Sequence, residues 1–504
     1  MVSTEKTLPQ SFEPGNKKSD GTGIDLSTAK NVRWTARLGT QTYGSPAVTG
    51  GKVFIGTNDF DLQDARYSST RGGAVKCLDA ATGRLLWQLV IPKFETNKPA
   101  FNYDNLDLGV CSSPTVEGNR VYLVSNRGEV LCLDTEGMAN GNDGPFKDEP
   151  RFSVPNGKPP VPSEPRDGDI VWRYDMVGEI PVWPQDASNC SVLVLGDLLY
   201  VCTSNGVDSS HDRLPFPLAP TLIVLDKRTG RLVAHDDEKI GTRCFHGHWS
   251  NPSSAKVNGR DLVFFGGGDG VCYAFEALTA VPSSVVPLKT VWSFDCNPPE
   301  YKLRDGKPIP YRSGDVRLHR GNTNDGNCIG PSEIIGTPVC MNNRVYVTTG
   351  QDPAHGRGRG MLCCIDATKT GDITRSGCRW RYDKIGRSLA TVSVADGLVY
   401  VTETFGTVHC LDADTGHCYW THAVSGEIWG STLVADGKVY FGTQKAFWVL
   451  AAGKEKKVLE EIHLGAPSYC TPVAADGTLY VASHRYLWAV RLEPDRPERR
   501  VARP

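Results

Sequence analysis

The sequence predicts an all-β protein: an eight-bladed β-propeller of four-stranded antiparallel blades, with the ring closed by a strand near the N-terminus. Three observations carry this reading. Eight short alternating segments each follow a turn and end on an aromatic residue: "GGKVF", "GNRVY", "GDLLY", "GRDLVF", "NNRVY", "ADGLVY", "ADGKVY" and "ADGTLY". The last three of these aromatics, Tyr400, Tyr440 and Tyr480, are spaced 40 residues apart, inside the range of about 40–50 residues for a four-stranded propeller blade. A longer phrase also recurs, "KCLDAATGRLLW" ending at Trp87 and "HCLDADTGHCYW" ending at Trp420.

The elements follow in order within each unit. An inner strand starts at a small-residue pair, Ser45-Pro46, Ser113-Pro114, Thr337-Pro338 or Thr471-Pro472. A Gly or Asn turn leads to the second strand, which carries the aromatic anchor: Phe54, Tyr122, Tyr200, Phe264, Tyr346, Tyr400, Tyr440 or Tyr480. A third strand ends in a "CLD"-like step. The last turn places Asp79, Gly83 and Trp87 in one unit and Asp412, Gly416 and Trp420 in another, where glycine supplies the positive φ of a tight hairpin. A third unit keeps Asp226 and Gly230 but has Ala234 for the tryptophan. The eighth unit has only three strands before "LWAVRLEP", so residues 31–39, "NVRWTARLG", are expected to supply its outer strand and remove the exposed edges. This gives a lead-in over 1–30, polar and expected to be disordered, a single propeller over 31–492 and a tail over 493–504.

Composition excludes several classes. Lys plus Arg (55) balances Asp plus Glu (57), and no basic-aromatic surface is legible, so nucleic acid is not an expected partner. No apolar run is long enough to span a bilayer, and the first residues lack the apolar core of a signal peptide. The 53 glycines and 33 prolines suit many strands joined by tight turns. Cys77, Cys132, Cys364 and Cys410 sit where other units carry small or apolar residues and read as buried small hydrophobes; Cys410 and Cys418 flank one turn and could also bridge. No CxxCH signature is present, so no haem is expected, and no CxxC pair occurs. "GGGDG" and "GRGRG" lack the GK[ST] ending of a phosphate loop, and neither GxSxG nor HExxH occurs.

The step from Asp through Thr-Gly to Trp resembles the tryptophan-docking repeat of quinoprotein dehydrogenase-like propellers over nearly all of residues 31–492. "FHGHWSNP", "GGGDGVCYAFEA", "GQDPAHGRGRGMLCCID" and "WGSTLVADGKVYFG" resemble the PQQ-like propellers of planctomycete-type bacteria. The resemblance implies a periplasmic or secreted protein. It covers both alcohol dehydrogenases using pyrroloquinoline quinone (PQQ) and calcium, and non-catalytic scaffolds similar to the outer-membrane assembly lipoprotein. In the dehydrogenases it also implies a disulfide between adjacent cysteines over the quinone; the adjacent pair here, Cys363-Cys364, falls on a strand where neighbours face opposite ways.

Most insertions, near 56–73, 92–109, 177–189, 203–220, 236–250, 295–335 and 350–360, are assigned to one face; 135–169 and 367–378 fall on the other. Residues just before each inner strand should ring the channel mouth there: Tyr43, Cys111, Asn189, Trp249, Ile335, Leu389, Trp429 and Tyr469, with Glu333, Arg387 and Glu427 nearby. They read either as a small-molecule pocket or as the filling of a wide channel. Tyr43, Asn189, Trp249, Asn251, Arg387, Trp429 and Tyr469 are the expected cofactor contacts. His246 and His248, alternating with glycine, suit a metal, a proton shuttle or a structural role. Asp325 or Asp186 is the candidate base, with His246 and His248 orienting the substrate. Asn322, Asn324 and Asp325 offer hard oxygens to calcium, or simply form turns. Two functions follow: a monomeric propeller binding a small ligand at the decorated mouth, as an oxidoreductase on an alcohol or sugar, or a scaffold docking a protein or polymer through its loops.

Overall fold

The structure, a computed structural model, describes residues 1–95, 106–185, 190–318 and 331–492. Eight antiparallel sheets follow one another along the chain, each running from an inner to an outer strand. Blade 1 consists of Ala47–Thr49, Lys52–Asn58, Gly73–Asp79 and Leu85–Ile91. Blades 2 to 7 fall within 115–175, 193–235, 253–295, 339–382, 393–423 and 433–462. Blade 8 has Val473–Ala475, Thr478–Ala482 and Tyr486–Val490, and its outer strand is Val32–Arg37, in register with Arg37 opposite Tyr486 and Thr35 opposite Trp488. The expected closure is therefore present. The eight aromatic anchors are buried on the second strands, each paired with the inner strand, as in Phe54 with Ala47 and Tyr480 with Val473.

The recurring phrase has a physical cause. Asp79 Oδ1 accepts hydrogen bonds from the Ala81 and Thr82 backbone and from Thr82 Oγ1, closing the turn ahead of Gly83 at φ 72°. Asp412, Thr415 and Gly416 repeat this arrangement. The glycine is needed twice over, because the tryptophan of the preceding blade lies on it. A Cβ at Gly83 would meet the Trp34 ring at 2.5 Å, and one at Gly416 would meet Trp380 at 2.7 Å. The indole then donates to a carbonyl of the same turn region: Trp34 to Ala80, Trp87 to Thr135, Trp172 to Lys227, Trp292 to Ala367, Trp380 to Ala413 and Trp420 to Gly453. Directly across the sheet from the tryptophan a small residue is required. Cys77, Cys132, Cys364 and Cys410 take that place, and burial pushes the last three thiols up to about 12.

Two joints lack the tryptophan. Blade 3 has Ala234 and blade 7 has Glu460 at that register. Each is covered by extra chain instead. Val286–Pro287, from blade 4, pairs parallel with the outer strand of blade 3 as a fifth strand. At blades 7 and 8 the cover is the N-terminal segment. Residues 1–30, expected as a disordered lead-in, lie along these blades: Val2 bridges Val434, Leu8 and Phe12 are buried, Tyr440 donates to the Pro9 carbonyl and Trp488 to that of Pro14. Their polar composition conceals two apolar anchors that fill a joint with no indole. The tail over 493–504 lies outside the described residues.

The insertions 135–169 and 367–378 cover outer strands of blades that keep their tryptophan. The first runs along blade 1's outer strand, bridging Gln88 to Asp167; the second adds Gly371–Asp372 as a parallel fifth strand to blade 4. Thus blades 3 and 4 are five-stranded rather than four-stranded, and their outer edges are covered.

At the inner strands the blades are linked by a closed circuit. The backbone N–H of Ser45 donates to Ser113 Oγ at 2.8 Å, Ser113 to Ser191 Oγ at 3.1 Å and Ser191 to Asn251 Oδ1 at 2.6 Å. Asn251 Nδ2 donates to Thr337 Oγ1, then Thr337 to Thr391, Thr391 to Ser431, Ser431 to Thr471, and Thr471 back to Ser45 Oγ at 3.1 Å. The small-residue pairs that open each unit are the members of this ring.

Candidate functional site

Three insertions from blades 3, 4 and 5 converge on His246. Its Nε2 lies 3.2 Å from His211 Nδ1, its ring is 4.8 Å from that of His355 and 5.3 Å from that of Trp249. The loops are tied together by backbone bonds, from Val207 N–H to the His246 carbonyl and from Arg317 N–H to the Asp212 carbonyl. Gly247, between the two histidines, donates to Glu333 Oε1 at 3.4 Å. The GGGDG loop is a packing device: a Cβ at Gly268 would fall 2.2 Å from the Gly247 carbonyl.

The polar atoms of this sector are buried and several have no partner. Among the described residues His246 Nδ1, His355 Nδ1 and Glu333 Oε2 find no hydrogen-bond partner. An unmet buried polar atom costs about 1–3 kcal/mol, so such a cluster is a place where a ligand or water is expected to bind. Burial holds His246 well below the usual imidazole range, helped by His211 and Arg317, and lowers His355 to about 3, helped by His246. Burial also raises the Glu333 carboxyl well above its ordinary value, with Asp352 adding to the effect. The two imidazoles are therefore uncharged near neutrality, and burial favours the protonated form of the Glu333 carboxyl.

His248 does not join them. Its Nδ1 accepts from Gly268 N–H at 3.0 Å, and burial lowers it to about 3, so the proton sits on Nε2. The two histidines expected to face one way have different surroundings. Among the described residues no group of three or more His, Cys, Asp or Glu is arranged to hold a metal ion.

A second, aromatic sector is formed by blades 1, 7 and 8. Trp429 and Tyr469 stack at 5.4 Å, Tyr43 stacks on Tyr469 at 5.9 Å, and His484 lies 5.1 Å from both tyrosines. Trp429 donates to Glu427 Oε2. These three aromatics lie together, while Trp249 packs on His246 in the first sector. Asn251 is not a free contact, because both ends of its amide serve the ring of inner-strand links. Arg387 is buried and donates to the carbonyls of His355 and Gly356, beneath Gly358. Asp186, Asn189, Asn322, Asn324 and Asp325 lie outside the described residues.

Sequence reasoning missed His211, His355 and His484. Each stands alone in its insertion, with no spacing to mark it; the one signal was that insertions 203–220 and 350–360 share a face with 236–250. A cavity of about 340 Å³ also lies off the axis on blade 2, but its arginines are already engaged: Arg127 and Arg173 both pair with Glu129.

The pattern of the family described as outer membrane protein assembly factor BamB matches residues 31–281 and 372–456, about two thirds of the sequence. The chain belongs to this family of PQQ-like propellers. No curated protein sequence matches it. Among solved structures it is similar to BamB from Moraxella catarrhalis (13% identity, TM-score 0.52, covering 92% of this chain and 98% of that one). It is also similar to a quinohemoprotein alcohol dehydrogenase from Pseudomonas putida (12%, 0.53, 96% and 82%) and to the computationally designed Ika8 protein (12%, 0.51, 92% and 99%). At such identities the likeness is one of fold. Pyrroloquinoline quinone is a tricarboxylate and calls for free cations. Arg387, expected to meet it, donates through Nη1 to the His355 and Gly356 carbonyls, and Cys363 and Cys364 face opposite sides of a blade-5 strand, paired with Arg381 and Trp380. Among the described residues no helix is long and apolar enough to cross a membrane.

Proposed function

We propose that the decorated mouth binds an uncharged, hydrogen-bonding small molecule of the sugar or polyol class. The observation that carries this reading is the cluster of unpartnered buried atoms, His246 Nδ1, His355 Nδ1 and Glu333 Oε2, on groups whose environment favours the uncharged form. Neutral imidazoles offer one donor and one acceptor each, and a protonated carboxyl donates, which suits hydroxyl groups. The stacked Tyr43, Trp429 and Tyr469 add apolar faces of the kind sugar rings pack against. An oxidoreductase on an alcohol or sugar, as in the planctomycete-type and dehydrogenase propellers the sequence resembles, would need its oxidant supplied separately. Placement in the periplasm or outside the cell follows the family resemblance.

The test is thermal unfolding of the full chain with a panel of neutral sugars and polyols, and separately with pyrroloquinoline quinone plus calcium. A ligand at 100 times its Kd adds about 2.7 kcal/mol. The expected result is stabilisation by a neutral ligand, abolished by His246→Ala and by Glu333→Ala. Stabilisation by the quinone and calcium alone, with dye-linked alcohol oxidation, would replace this reading with the dehydrogenase one.

A second reading, a scaffold docking a protein, is supported by the family match and by exposed apolar residues on insertions of the same face. Phe60, Leu106, Leu218, Leu303 and Leu318 are all exposed there, Leu218 to 70%. Binding of a purified assembly partner, weakened by Leu218→Asp but indifferent to Glu333→Ala, would favour it.

A further inference from the structure

A nucleophile constellation lies in the groove between blades 5 and 6. Strand Thr407–Asp412 of blade 6 carries His409 and Leu411 on one face, and a register shift after Cys410 sets Cys418 opposite Leu411 and so on that same face. Cys410, the neighbour in the strand, faces away, with its thiol 3.5 Å from the Gly453 carbonyl. No Cys410–Cys418 disulfide forms, and all fifteen described cysteines are free.

His409 is buried, and each ring nitrogen has a partner. Nε2 lies 2.7 Å from Glu403 Oε1, and Nδ1 lies 3.2 Å from the Tyr382 hydroxyl of blade 5. The half-buried Cys418 thiol donates to the Trp420 carbonyl at 3.5 Å, packs against the cluster that holds Tyr382, and interacts with the His409 and Tyr382 side chains. Glu403 is fixed in turn by the Gly386 N–H and Thr407. Thiol, imidazole and carboxylate thus stand in the order that activates a nucleophile: a base beside the sulfur, and a third group orienting the base. The contrast with the rest of the chain is sharp. Burial pushes the tryptophan-facing thiols up, whereas His409 holds Cys418 below its ordinary value and is itself raised by Cys418 and Glu403 against the effect of burial. The groups facing the thiol are His409, Glu403, Tyr382 and, further out, Asp383.

We propose that Cys418, paired with His409 and Glu403, is a thiolate modification site that reacts with hydroperoxides. The sulfur attacks the outer peroxide oxygen; the S–O bond forms as the O–O bond breaks, and the sulfur is oxidised by two electrons while the peroxide is reduced. The products are Cys418 sulfenic acid and an alkoxide or hydroxide, which takes the proton held by His409 and leaves as alcohol or water. His409 and Glu403 are positioning residues here.

Cys340 supplies an internal control. It is half-buried too, yet burial alone raises it to about 11. Full-length protein is treated with limiting hydrogen peroxide at neutral pH in the presence of dimedone, and labelled cysteines are mapped by mass spectrometry. Cys418 is expected to label at least about tenfold faster than Cys340, with a pH midpoint below that of Cys340. His409→Gln and Glu403→Gln should slow it about tenfold and move its midpoint up, with Glu403→Asp restoring part of the rate and Cys340 unchanged. Labelling of Cys418 no faster than Cys340, or an unaltered pH profile in folded His409→Gln, overturns the proposal. If that variant does not fold, the comparison of the two cysteines in the native protein decides.

Discussion

Trp87 offers the clearest test of how the blades are held together. The indole is 1% exposed, lies 6.0 Å from the Phe54 ring and donates to the Thr135 carbonyl of the next blade at 3.0 Å. Gly137 is pressed against it, with a Cβ there 2.8 Å from the ring. Trp87→Ala removes the whole contact and leaves a cavity between two rigid sheets that cannot close on it, which costs about 3–5 kcal/mol. Trp87→Phe keeps most of the packing but leaves the carbonyl without a donor, costing about 1–3 kcal/mol. Urea unfolding followed by far-UV circular dichroism, with the midpoint compared at constant m, reads both. If the alanine variant loses less than about 1 kcal/mol, or the phenylalanine variant loses as much as alanine, inter-blade docking by the indole is not what holds this joint.

Other expectations follow from the same contacts. Deleting residues 1–14 exposes the surface that Leu8 and Phe12 cover, each worth about 1.5–3 kcal/mol; hydrogen exchange should rise in 433–490 while blade 2 keeps its protection. Asn251→Ala breaks two ring links and should cost about 1–3 kcal/mol without changing ligand affinity in the native state; a selective loss of affinity would return Asn251 to the binding site. His248 and His355, both lowered to about 3, are neutral when folded and take up protons when unfolded below about 6.5. Their contribution is present above pH 6.5 and is lost as the pH falls toward 3, with a slope of up to about 1.4 kcal/mol per unit for each. His355→Gln should flatten the acid limb of the stability profile. Glu333 is raised and acts oppositely, its contribution present below the ordinary carboxyl range and lost as pH rises. Glu333→Gln should therefore gain stability over the native protein at alkaline pH.

How much of this was legible depended on whether the physics was local. The aromatic anchors, the Asp-to-Gly turns and the outer tryptophans repeat because each blade solves the same packing problem, so their spacing revealed the blade count and the closing strand at 31–39. The N-terminal segment was misread because its two apolar anchors, Leu8 and Phe12, sit among turn formers and are ordered only by a surface more than 400 residues away, as the bond from Tyr440 to the Pro9 carbonyl illustrates. The clustering around the candidate site was half legible. Tyr43, Trp249, Trp429 and Tyr469 follow from their offset to the inner strand. His211 and His355 do not, since nothing in one insertion indicates which residues of another it will meet. Asn251 was read as a contact for the opposite reason: it opens an inner strand, but its amide replaces the hydroxyl that seven other blades use.

The inner-strand links all run in one rotational sense, each blade donating to the next and blade 8 donating back to blade 1. Together with the closing outer strand, they make the circle indifferent to where the polypeptide begins. Joining the present ends of the ring with a flexible tether and opening the chain at the Gly397 turn of blade 6 should yield a circular permutant that still assembles, so long as residues 1–14 are retained in a position to reach blade 7.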